Sequence, residues 1–146
     1  MACASGKFSG TEGATMCQTC PTHTTSSNSA TDCLCNAGYV KDIDTGQGCQ
    51  ACEAGKFVAG GSAFCTDCDP GFTSNSASST CVMCAAGRYV LNNVCTPCLG
   101  NSFAPAASDA FADCACNSGS HGVDGVCTLC PTGKYKHSTG NSTKIV

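Results

Sequence analysis

Cysteine is the residue type in this sequence whose side chains could carry chemistry, as its number and regular spacing indicate. The chain has 17 cysteines among 146 residues, and all but Cys3 stand in C-x-x-C or C-x-C pairs. Such pairs can bind zinc, exchange disulfides in redox catalysis or form structural disulfides. Zinc-ribbon-like spacing occurs twice, at Cys49/Cys52 with Cys65/Cys68 and at Cys81/Cys84 with Cys95/Cys98.

The composition favours structural disulfides over zinc or redox chemistry. Cysteine makes up about 12% of the chain, above the roughly 8–10% that marks a disulfide scaffold, while Leu, Ile, Val and Phe together make up only about 14%. A zinc protein of this kind would be intracellular with basic partner surfaces, and a thioredoxin-like site needs a βαβ unit that is absent from the pattern. We therefore expect disulfides, no metal and no cofactor.

The expected disulfides indicate the cellular compartment of the protein. Disulfides persist in oxidising surroundings, so we expect a secreted or cell-surface location. The first ten residues have no basic n-region or apolar h-region, so an exported protein would be represented here by a mature or partial chain. No apolar run approaches the roughly 20 residues of a membrane span, and a net charge of −3 argues against a nucleic-acid surface. We expect neither membrane insertion nor nucleic-acid binding.

A hexapeptide, Cys-x-x-Gly-(Lys/Arg)-(Phe/Tyr), recurs along the chain. It begins at Cys3, Cys52, Cys84 and Cys130. The glycine allows a turn with positive φ beside a disulfide, and the aromatic ring is large enough to cover the sulfurs as a one-residue core. With the related stretches NAGY and DPGF, the predicted turn and packing residues are Gly6, Phe8, Gly38, Tyr39, Gly55, Phe57, Gly71, Phe72, Gly87, Tyr89, Gly133 and Tyr135.

The order of the cysteines between these hexapeptides predicts tandem modules. Residues 3–51 and 84–129 each hold six cysteines, residues 52–83 hold four, and residues 130–146 begin an incomplete fourth module. No apolar period of 3.6 residues is visible, so short strands and turns with almost no helix are expected. Modules that touch only their neighbours would form an elongated rod.

Two pairing schemes respect this repeat. Sequential pairing joins Cys3 to Cys17 and Cys20 to Cys33, whereas crossed pairing joins Cys3 to Cys20 and Cys17 to Cys33. Both schemes leave Cys130 unpaired within this chain. Either the chain is a segment of a longer repeat protein, or the partner of Cys130 lies on a neighbouring subunit.

The six-cysteine order with a central C-x-C resembles the epidermal-growth-factor-like (EGF-like) module. Residues 17–42 are similar to the cysteine-rich repeat of the ephrin receptor ectodomain, which also occurs in large extracellular proteins and flagellar hairs (mastigonemes) of algae and other protists. The EGF-like resemblance implies the crossed pairing and a small disulfide-rich fold of tandem EGF-like or tumour-necrosis-factor-receptor-like modules. The implied disulfides are Cys3–Cys20, Cys17–Cys33, Cys35–Cys49, Cys52–Cys68, Cys65–Cys81, Cys84–Cys98, Cys95–Cys114 and Cys116–Cys127.

Other site chemistry is sparse. His23, His121 and His137 stand in no repeating relation to a cysteine or carboxylate, so they predict surface residues and no catalytic site. Asp42 and Asp44 faintly resemble the Asp-x-Asp of calcium-binding EGF-like modules, but they lie inside a loop instead of before a first cysteine.

The sequence supports covalent glycans better than it supports catalysis or calcium binding. Asn141-Ser-Thr is an N-glycosylation sequon, and Asn93-Val-Cys is a weaker variant. The Ser/Thr-rich loop after Cys20 is typical of O-glycosylated segments or of plain hydrophilic spacers, with Thr24, Thr25, Ser26 and Ser27 as candidate acceptors.

These patterns predict a structural, non-enzymatic extracellular protein. We expect a glycosylated filament, stalk or cell-surface appendage whose main partner is another copy, or a continuation, of the same repeat chain. The alternative is a receptor or adhesion ectodomain that binds a protein ligand. That alternative would need one loop with an unusual aromatic or arginine-rich patch, for which Phe103 and Phe111 are the candidates.

Overall fold

The predicted fold class is confirmed by a computed structural model, which describes residues 2–11, 15–43, 48–143 and 145–146. These residues form eight disulfides and eight separate two-stranded antiparallel sheets, each a hairpin between strands adjacent in sequence. Helix is limited, within the described ranges, to one 3₁₀ turn at Phe111–Asp113.

The strands are short, and we number hairpins 1 to 8 in chain order. Most hairpins pair only two residues from each strand, whereas hairpins 6 and 8 pair four. The strands are β1 Lys7–Phe8, β2 Gln18–Thr19, β3 Thr24–Thr25, β4 Leu34–Cys35, β5 Tyr39–Lys41, β6 Cys49–Ala51, β7 Lys56–Phe57, β8 Thr66–Asp67, β9 Phe72–Thr73, β10 Val82–Met83, β11 Arg88–Leu91, β12 Val94–Pro97, β13 Ser102–Phe103, β14 Ala115–Cys116, β15 Ser120–Val123 and β16 Val126–Leu129.

The same β-turn precedes the first strand of every hairpin. In hairpin 1 the amide of Lys7 donates to the carbonyl of Ala4 (3.0 Å), and Gly6 has φ of 78°. A positive φ at the third position of such a turn is the mark of type II, which favours glycine there. The residue three places after the opening cysteine has positive φ in all eight hairpins and in segment 130–146, at Gly6, His23, Gly38, Gly55, Gly71, Gly87, Asn101, Gly119 and Gly133.

Hairpins 6 and 8 also have tight turns at their tips. Asn92 and Asn93 have φ of 49° and 61°, and Asp124 and Gly125 have φ of 48° and 74°. Two consecutive positive φ values define the type I′ turn, whose twist matches paired strands and whose sequence preference includes Asp-Gly. These turns explain why the two hairpins have the longest strand pairs.

Disulfides take the place of a large apolar core. Five of the eight buried apolar residues in the described part are cysteines: Cys3, Cys52, Cys84, Cys114 and Cys116. The one cluster that includes an aromatic residue packs Tyr89 on Ala104 and Cys114, with the ring of Phe111 centred 5.5 Å from that of Tyr89. Each hairpin is therefore held by its sulfur bridge and its backbone hydrogen bonds more than by side-chain burial.

The described chain separates into two compact units. The first comprises residues 1–67 and 75–80, and the second comprises residues 68–74 and 81–146. The predicted modules 3–51, 52–83 and 84–129 follow cysteine order and remain a prediction. The smallest unit that repeats in the structure is the single hairpin.

Two turn glycines differ in what a side chain would contact. A Cβ atom at Gly38 would lie 2.0 Å from the carbonyl oxygen of Ala77, whereas a Cβ at Gly6 would have nothing within 4 Å. Both residues have positive φ. Gly6→Ala should therefore lower the free energy of unfolding by about 1 kcal/mol through backbone strain alone, and Gly38→Ala should lower it by about 1–3 kcal/mol more because the backbone of Ala77 must shift.

Chemical denaturation with the disulfides intact measures this difference. Hydrogen exchange should also rise at the amide of Ala77, which donates to the carbonyl of Cys52, in Gly38→Ala and not in Gly6→Ala. Equal destabilisation by the two substitutions would contradict the close approach of the two backbones.

Candidate functional site

The disulfides form a sequential ladder, which corrects the crossed pairing. Cys35–Cys49 and Cys116–Cys127, common to both schemes, are present, but the six crossed bridges Cys3–Cys20, Cys17–Cys33, Cys52–Cys68, Cys65–Cys81, Cys84–Cys98 and Cys95–Cys114 are not. Each hairpin is instead closed by its own bridge. The bridges are Cys3–Cys17, Cys20–Cys33, Cys35–Cys49, Cys52–Cys65, Cys68–Cys81, Cys84–Cys95, Cys98–Cys114 and Cys116–Cys127.

The opening turn explains this pairing. In hairpin 1 the turn bends the chain so that Cys3 lies beside Cys17, where the returning strand begins, with 5.7 Å between their Cα atoms. Cys20 lies at the other end of that strand, where its amide donates to the carbonyl of Gly6 (3.0 Å). Three residues of extended chain separate the two cysteines by about 10 Å, so Cys20 is left to open the next hairpin.

Successive hairpins are joined by a recurring set of backbone hydrogen bonds, which we call the docking contact. The amide of the left-handed turn residue donates to a carbonyl in the following segment, and the carbonyl of the opening cysteine accepts from an amide further along it. In hairpin 1 these bonds run from Gly6 to Ser26 (3.2 Å) and from Ser29 to Cys3 (2.8 Å). The equivalents are Gly38 to Val58 with Gly61 to Cys35, Gly87 to Ala104 with Ala107 to Cys84, and Gly119 to Lys136 with Gly140 to Cys116.

One side chain in each docked segment is buried by this contact. It stands six residues after the cysteine that opens the segment, and its type varies. Ser26 is 5% exposed and donates its hydroxyl to the carbonyl of Lys7 (2.8 Å), while Ala104 is fully buried. The other residues at this position are Val58 and Lys136. The backbone bonds therefore recur whatever the buried residue is, and its side chain fills the space beneath them and, in Ser26, adds a hydrogen bond of its own.

The aromatic residues occupy several environments. Tyr89 is buried at 8% exposure in the Cys114 cluster, as a covering ring should be. Phe8, Phe57, Phe72 and Tyr39 are only half-buried. Tyr135 is 51% exposed, which corrects its predicted packing role: in segment 130–146 the buried residue is its neighbour Lys136, because the docking contact turns that position inward.

Two of the three histidines pack against tyrosine rings, which the sequence did not predict. His23 occupies a turn position that elsewhere holds glycine, and its ring stacks on Tyr39 with 4.2 Å between centroids. His137 meets the edge of Tyr135 at 4.6 Å. His121 lies on β15 with a buried Nδ1 that has no hydrogen-bond partner among the described residues. None of the three contacts a carboxylate or cysteine arrangement that indicates catalysis.

The glycan acceptors divide by exposure. Asn141 is exposed, and its side-chain amide donates to the carbonyl of Ala112 (3.2 Å), which leaves one amide hydrogen for substitution. Thr25 and Ser27 are exposed, whereas the hydroxyl of Thr24 donates to the carbonyl of Pro21 (2.7 Å). Ser26 is removed from the predicted acceptors, because it is buried and its hydroxyl is already bonded.

The described residues contain no group of three or more His, Cys, Asp or Glu side chains placed to hold a metal ion. The cysteines with zinc-ribbon-like spacing are all in disulfides, and Asp44 of the faint calcium motif lies outside the described ranges. Within those ranges, no helix has the length and apolarity to cross a bilayer.

A cavity of about 320 Å³ lies in the first compact unit. Phe8, Pro21 and Leu34 give it an apolar wall, and Asp32 and Lys41 place opposite charges at its lining. Neither charged residue was singled out by the sequence, because they lie in different hairpins and no spacing rule links them. The cavity could admit a small ligand or one side chain of a protein ligand.

Comparison of the chain with models of protein families and with curated proteins found no match. The small disulfide-rich fold with tandem hairpins thus rests on the structure alone, with its eight disulfides and eight two-stranded sheets.

The sequential ladder makes a prediction that thiol labelling can check. Replacement of Cys17 by Ser should free Cys3, whereas crossed pairing would free Cys33. Trypsin cleaves after Lys7 and Lys41, so the two thiols fall in different peptides. Free thiols are alkylated first, the protein is then reduced and digested, and the label should be found in residues 1–7.

The unsubstituted chain is the control, because it should carry label only at Cys130, the free cysteine of the structure. Label on Cys33 in the Cys17→Ser chain would contradict the ladder.

Proposed function

We propose that the chain is a structural extracellular repeat protein that forms, or belongs to, a filament, stalk or cell-surface appendage. The observation that carries the proposal is the docking contact, which joins each participating hairpin to the next segment by the same backbone hydrogen bonds. A contact of this kind can be repeated along a chain without a central core. Repetition therefore lengthens the assembly without changing its chemistry.

The disulfides support a mechanical role outside the cell. Bridges that close loops of 11 to 16 residues each stabilise a hairpin by about 3 kcal/mol in the chain-entropy model. Such bridges persist in oxidising surroundings and are rare in the cytosol. An extracellular chain built in this way resists both proteolysis and tension, which are the demands on an appendage.

Resemblance to ephrin-receptor-like repeats of flagellar hairs suggests a mastigoneme-like glycoprotein, with covalent glycans on Asn141 and on Thr25 or Ser27. The sequential pairing departs from the EGF-like scheme, so the resemblance rests on the turn and on the C-x-C spacing. Glycans would cover hydroxyl-rich loops that carry few charges.

Exposed apolar pairs give the chain surfaces for self-association. At the tip of hairpin 6, Leu91 lies opposite Val94, at 47% and 60% exposure. At the tip of hairpin 8, Val123 lies opposite Val126, at 47% and 62% exposure. Cross-strand aliphatic pairs of this kind can pack against another copy of the chain, because burial of apolar surface drives association.

The alternative function is ligand binding by a receptor or adhesion ectodomain. The observation that favours it is the cavity beside Phe8, where Asp32 and Lys41 could bind groups of opposite charge. Phe103 is 47% exposed, but Phe111 is partly buried against the Tyr89 cluster, so these two residues do not make one aromatic patch.

Electron microscopy tests the assembly. We expect negatively stained native protein to form strings or fibres at micromolar concentration, because consecutive docking contacts and exposed apolar tips favour association. Material that has been reduced and alkylated should lose these structures, since the hairpins open. Monodisperse single particles of the native protein would contradict the structural function and favour the ectodomain alternative.

Glycosylation at Asn141 has a matched pair of controls within its sequon. Thr143→Ala should abolish the glycan, because the sequon requires a hydroxyl residue at its third position, whereas Ser142→Ala should retain it. Enzymatic removal of N-glycans in ¹⁸O-labelled water, followed by mass spectrometry, should convert Asn141 to labelled Asp. An unmodified Asn141 in protein from secretory cells would contradict the glycoprotein assignment at this residue.

A further inference from the structure

Hairpins 6 and 8 are built alike, but the outer edges of their second strands differ. Strand β12 reads Val-Cys-Thr-Pro and β16 reads Val-Cys-Thr-Leu, and both follow a type I′ turn, so their residues correspond one to one. Cys95 and Cys127 occupy the same place and each forms the bridge that closes its hairpin. The strands diverge at their last residue, which is Pro97 in β12 and Leu129 in β16.

The outer edge of β16 has unpaired backbone groups. In an antiparallel pair, residues alternate between pointing their amide and carbonyl toward the other strand and pointing them away from it. The amide of Cys130 donates to the carbonyl of Gly119 (2.9 Å), so Thr128 also points toward β15, whereas Cys127 and Leu129 point outward. Within the described ranges, neither outward residue has a hydrogen-bond partner for its amide or carbonyl. The edge therefore offers donors and acceptors to an added strand.

The equivalent edge of β12 is blocked in two ways. Pro97, in the place of Leu129, has no amide hydrogen to donate. The guanidinium of Arg88 donates to the outward carbonyl of Cys95 (3.0 Å), whereas hairpin 8 has the short, buried Ser120 in the place of that arginine. Proline and charged side chains are devices by which edge strands avoid pairing with another chain. This protection is present on β12 and missing from β16.

Both hairpins already add backbone to the edge of their first strand. The amide of Val90 in β11 donates to the carbonyl of Ser108 (3.1 Å), and the amide of Gly122 in β15 donates to that of Ser142 (2.9 Å). The chain therefore extends its two-stranded sheets by placing further backbone along a free edge. A strand added to β16 would continue the sheet that Ser142 and β15 begin.

The side chains of β16 suit a partner strand that is apolar and uncharged. Val126 and Leu129 are 62% and 69% exposed, and no residue of the strand carries a charge. A charged partner strand would gain no ion pair here and would lose hydration. A second copy of β16 has the matching character, because its side chains are the same and its outward groups are equally unpaired.

We propose that β16 pairs antiparallel with β16 of a second copy about a two-fold axis. The outward groups match when Cys127 lies opposite the partner's Leu129 and Leu129 lies opposite the partner's Cys127, and each such pair exchanges both of its N–H···O bonds. Thr128 then lies on the axis opposite its own equivalent, and threonine pairs across strands are favourable. The two hairpins become one continuous sheet with β16 and its equivalent at the centre.

This inference rests on the proposed function, because it names the joint between two chains of a self-associating protein. Docking contacts extend the structure along each chain, and the β16 joint links one chain to another. The same patch serves on both copies, as in other two-fold interfaces. The fraction of paired chains must rise with protein concentration.

A cysteine on the two-fold axis tests the pairing. In a chain that carries Cys130→Ser, Thr128→Cys should form a disulfide-linked dimer under mild oxidation. The reason is that residues facing each other in a non-hydrogen-bonded pair have Cα atoms about 4.5 Å apart, within disulfide range. The matched control is Thr96→Cys, the equivalent position on the blocked strand β12, which should stay monomeric. Mass spectrometry should locate the new bridge between two copies of residue 128.

A second measurement needs no added cysteine. In the Cys130→Ser chain, Leu129→Pro should weaken dimerisation at least about tenfold in sedimentation analysis, because the symmetric joint loses one donor from each copy. The hairpin itself should tolerate this change, since Pro97 stands at the equivalent place. Leu129→Ala is the control: it keeps the amide and has less apolar surface than proline, so its dimer should be the stronger of the two. Circular dichroism and the count of free thiols establish that each variant has folded with its eight disulfides.

Equal cross-linking through Thr128→Cys and Thr96→Cys, or a dimer as strong with Leu129→Pro as with Leu129→Ala, would overturn the pairing. Fibres formed by a chain that gives either result would leave the structural function standing and refute only the β16 joint. A dimer linked through residue 128, from protein that never forms fibres, would support the joint and refute the structural function.

Discussion

The left-handed turn three residues after each opening cysteine is the constraint on which the rest of the structure depends. It reverses the chain so that the opening cysteine meets the start of the returning strand, as Cys3 meets Cys17. It also directs one amide, such as that of Gly6, toward the following segment. One backbone conformation therefore determines both the covalent pairing and the non-covalent docking, which is why a chain with so little apolar volume can have a defined fold.

The opening cysteine acts through two of its groups. Its sulfur closes its own hairpin, and its carbonyl accepts a hydrogen bond from the next segment, as Cys84 does from Ala107 (2.9 Å). Because the bridge fixes the position of the cysteine, the carbonyl is oriented before docking occurs. Reduction of one bridge should therefore weaken a contact that lies outside the loop it closes, and hairpins in such a series are not independent of their neighbours.

The fold class followed from the cysteine count, the low apolar content and the absence of a helical period. The sequence indicated the turn where a glycine shortly precedes an aromatic residue. His23 and Asn101 adopt the same conformation without glycine, so the sequence did not show that the turn recurs in every hairpin. Grouping the cysteines by hexapeptide then favoured a six-cysteine module, and the resemblance of that module to the EGF-like module implied the crossed pairing. Docking could not have been predicted, because its hydrogen bonds are made by backbone atoms and its buried position holds Ser, Val, Ala or Lys.

This indifference to side-chain type explains which parts of the sequence repeat. A contact made by backbone atoms constrains φ and ψ but tolerates Ser26, Val58, Ala104 or Lys136 at its centre. Only cysteine and the residue that must adopt positive φ are then restricted, and these recur along the chain while the loops vary. The variable position becomes a place where one contact can be made to differ from the others. Ser26 donates its hydroxyl to the carbonyl of Lys7, and the ammonium of Lys136 donates to the carbonyl of Cys116, whereas the side chains of Val58 and Ala104 have no donor, so docking contacts can differ in strength without altering the fold.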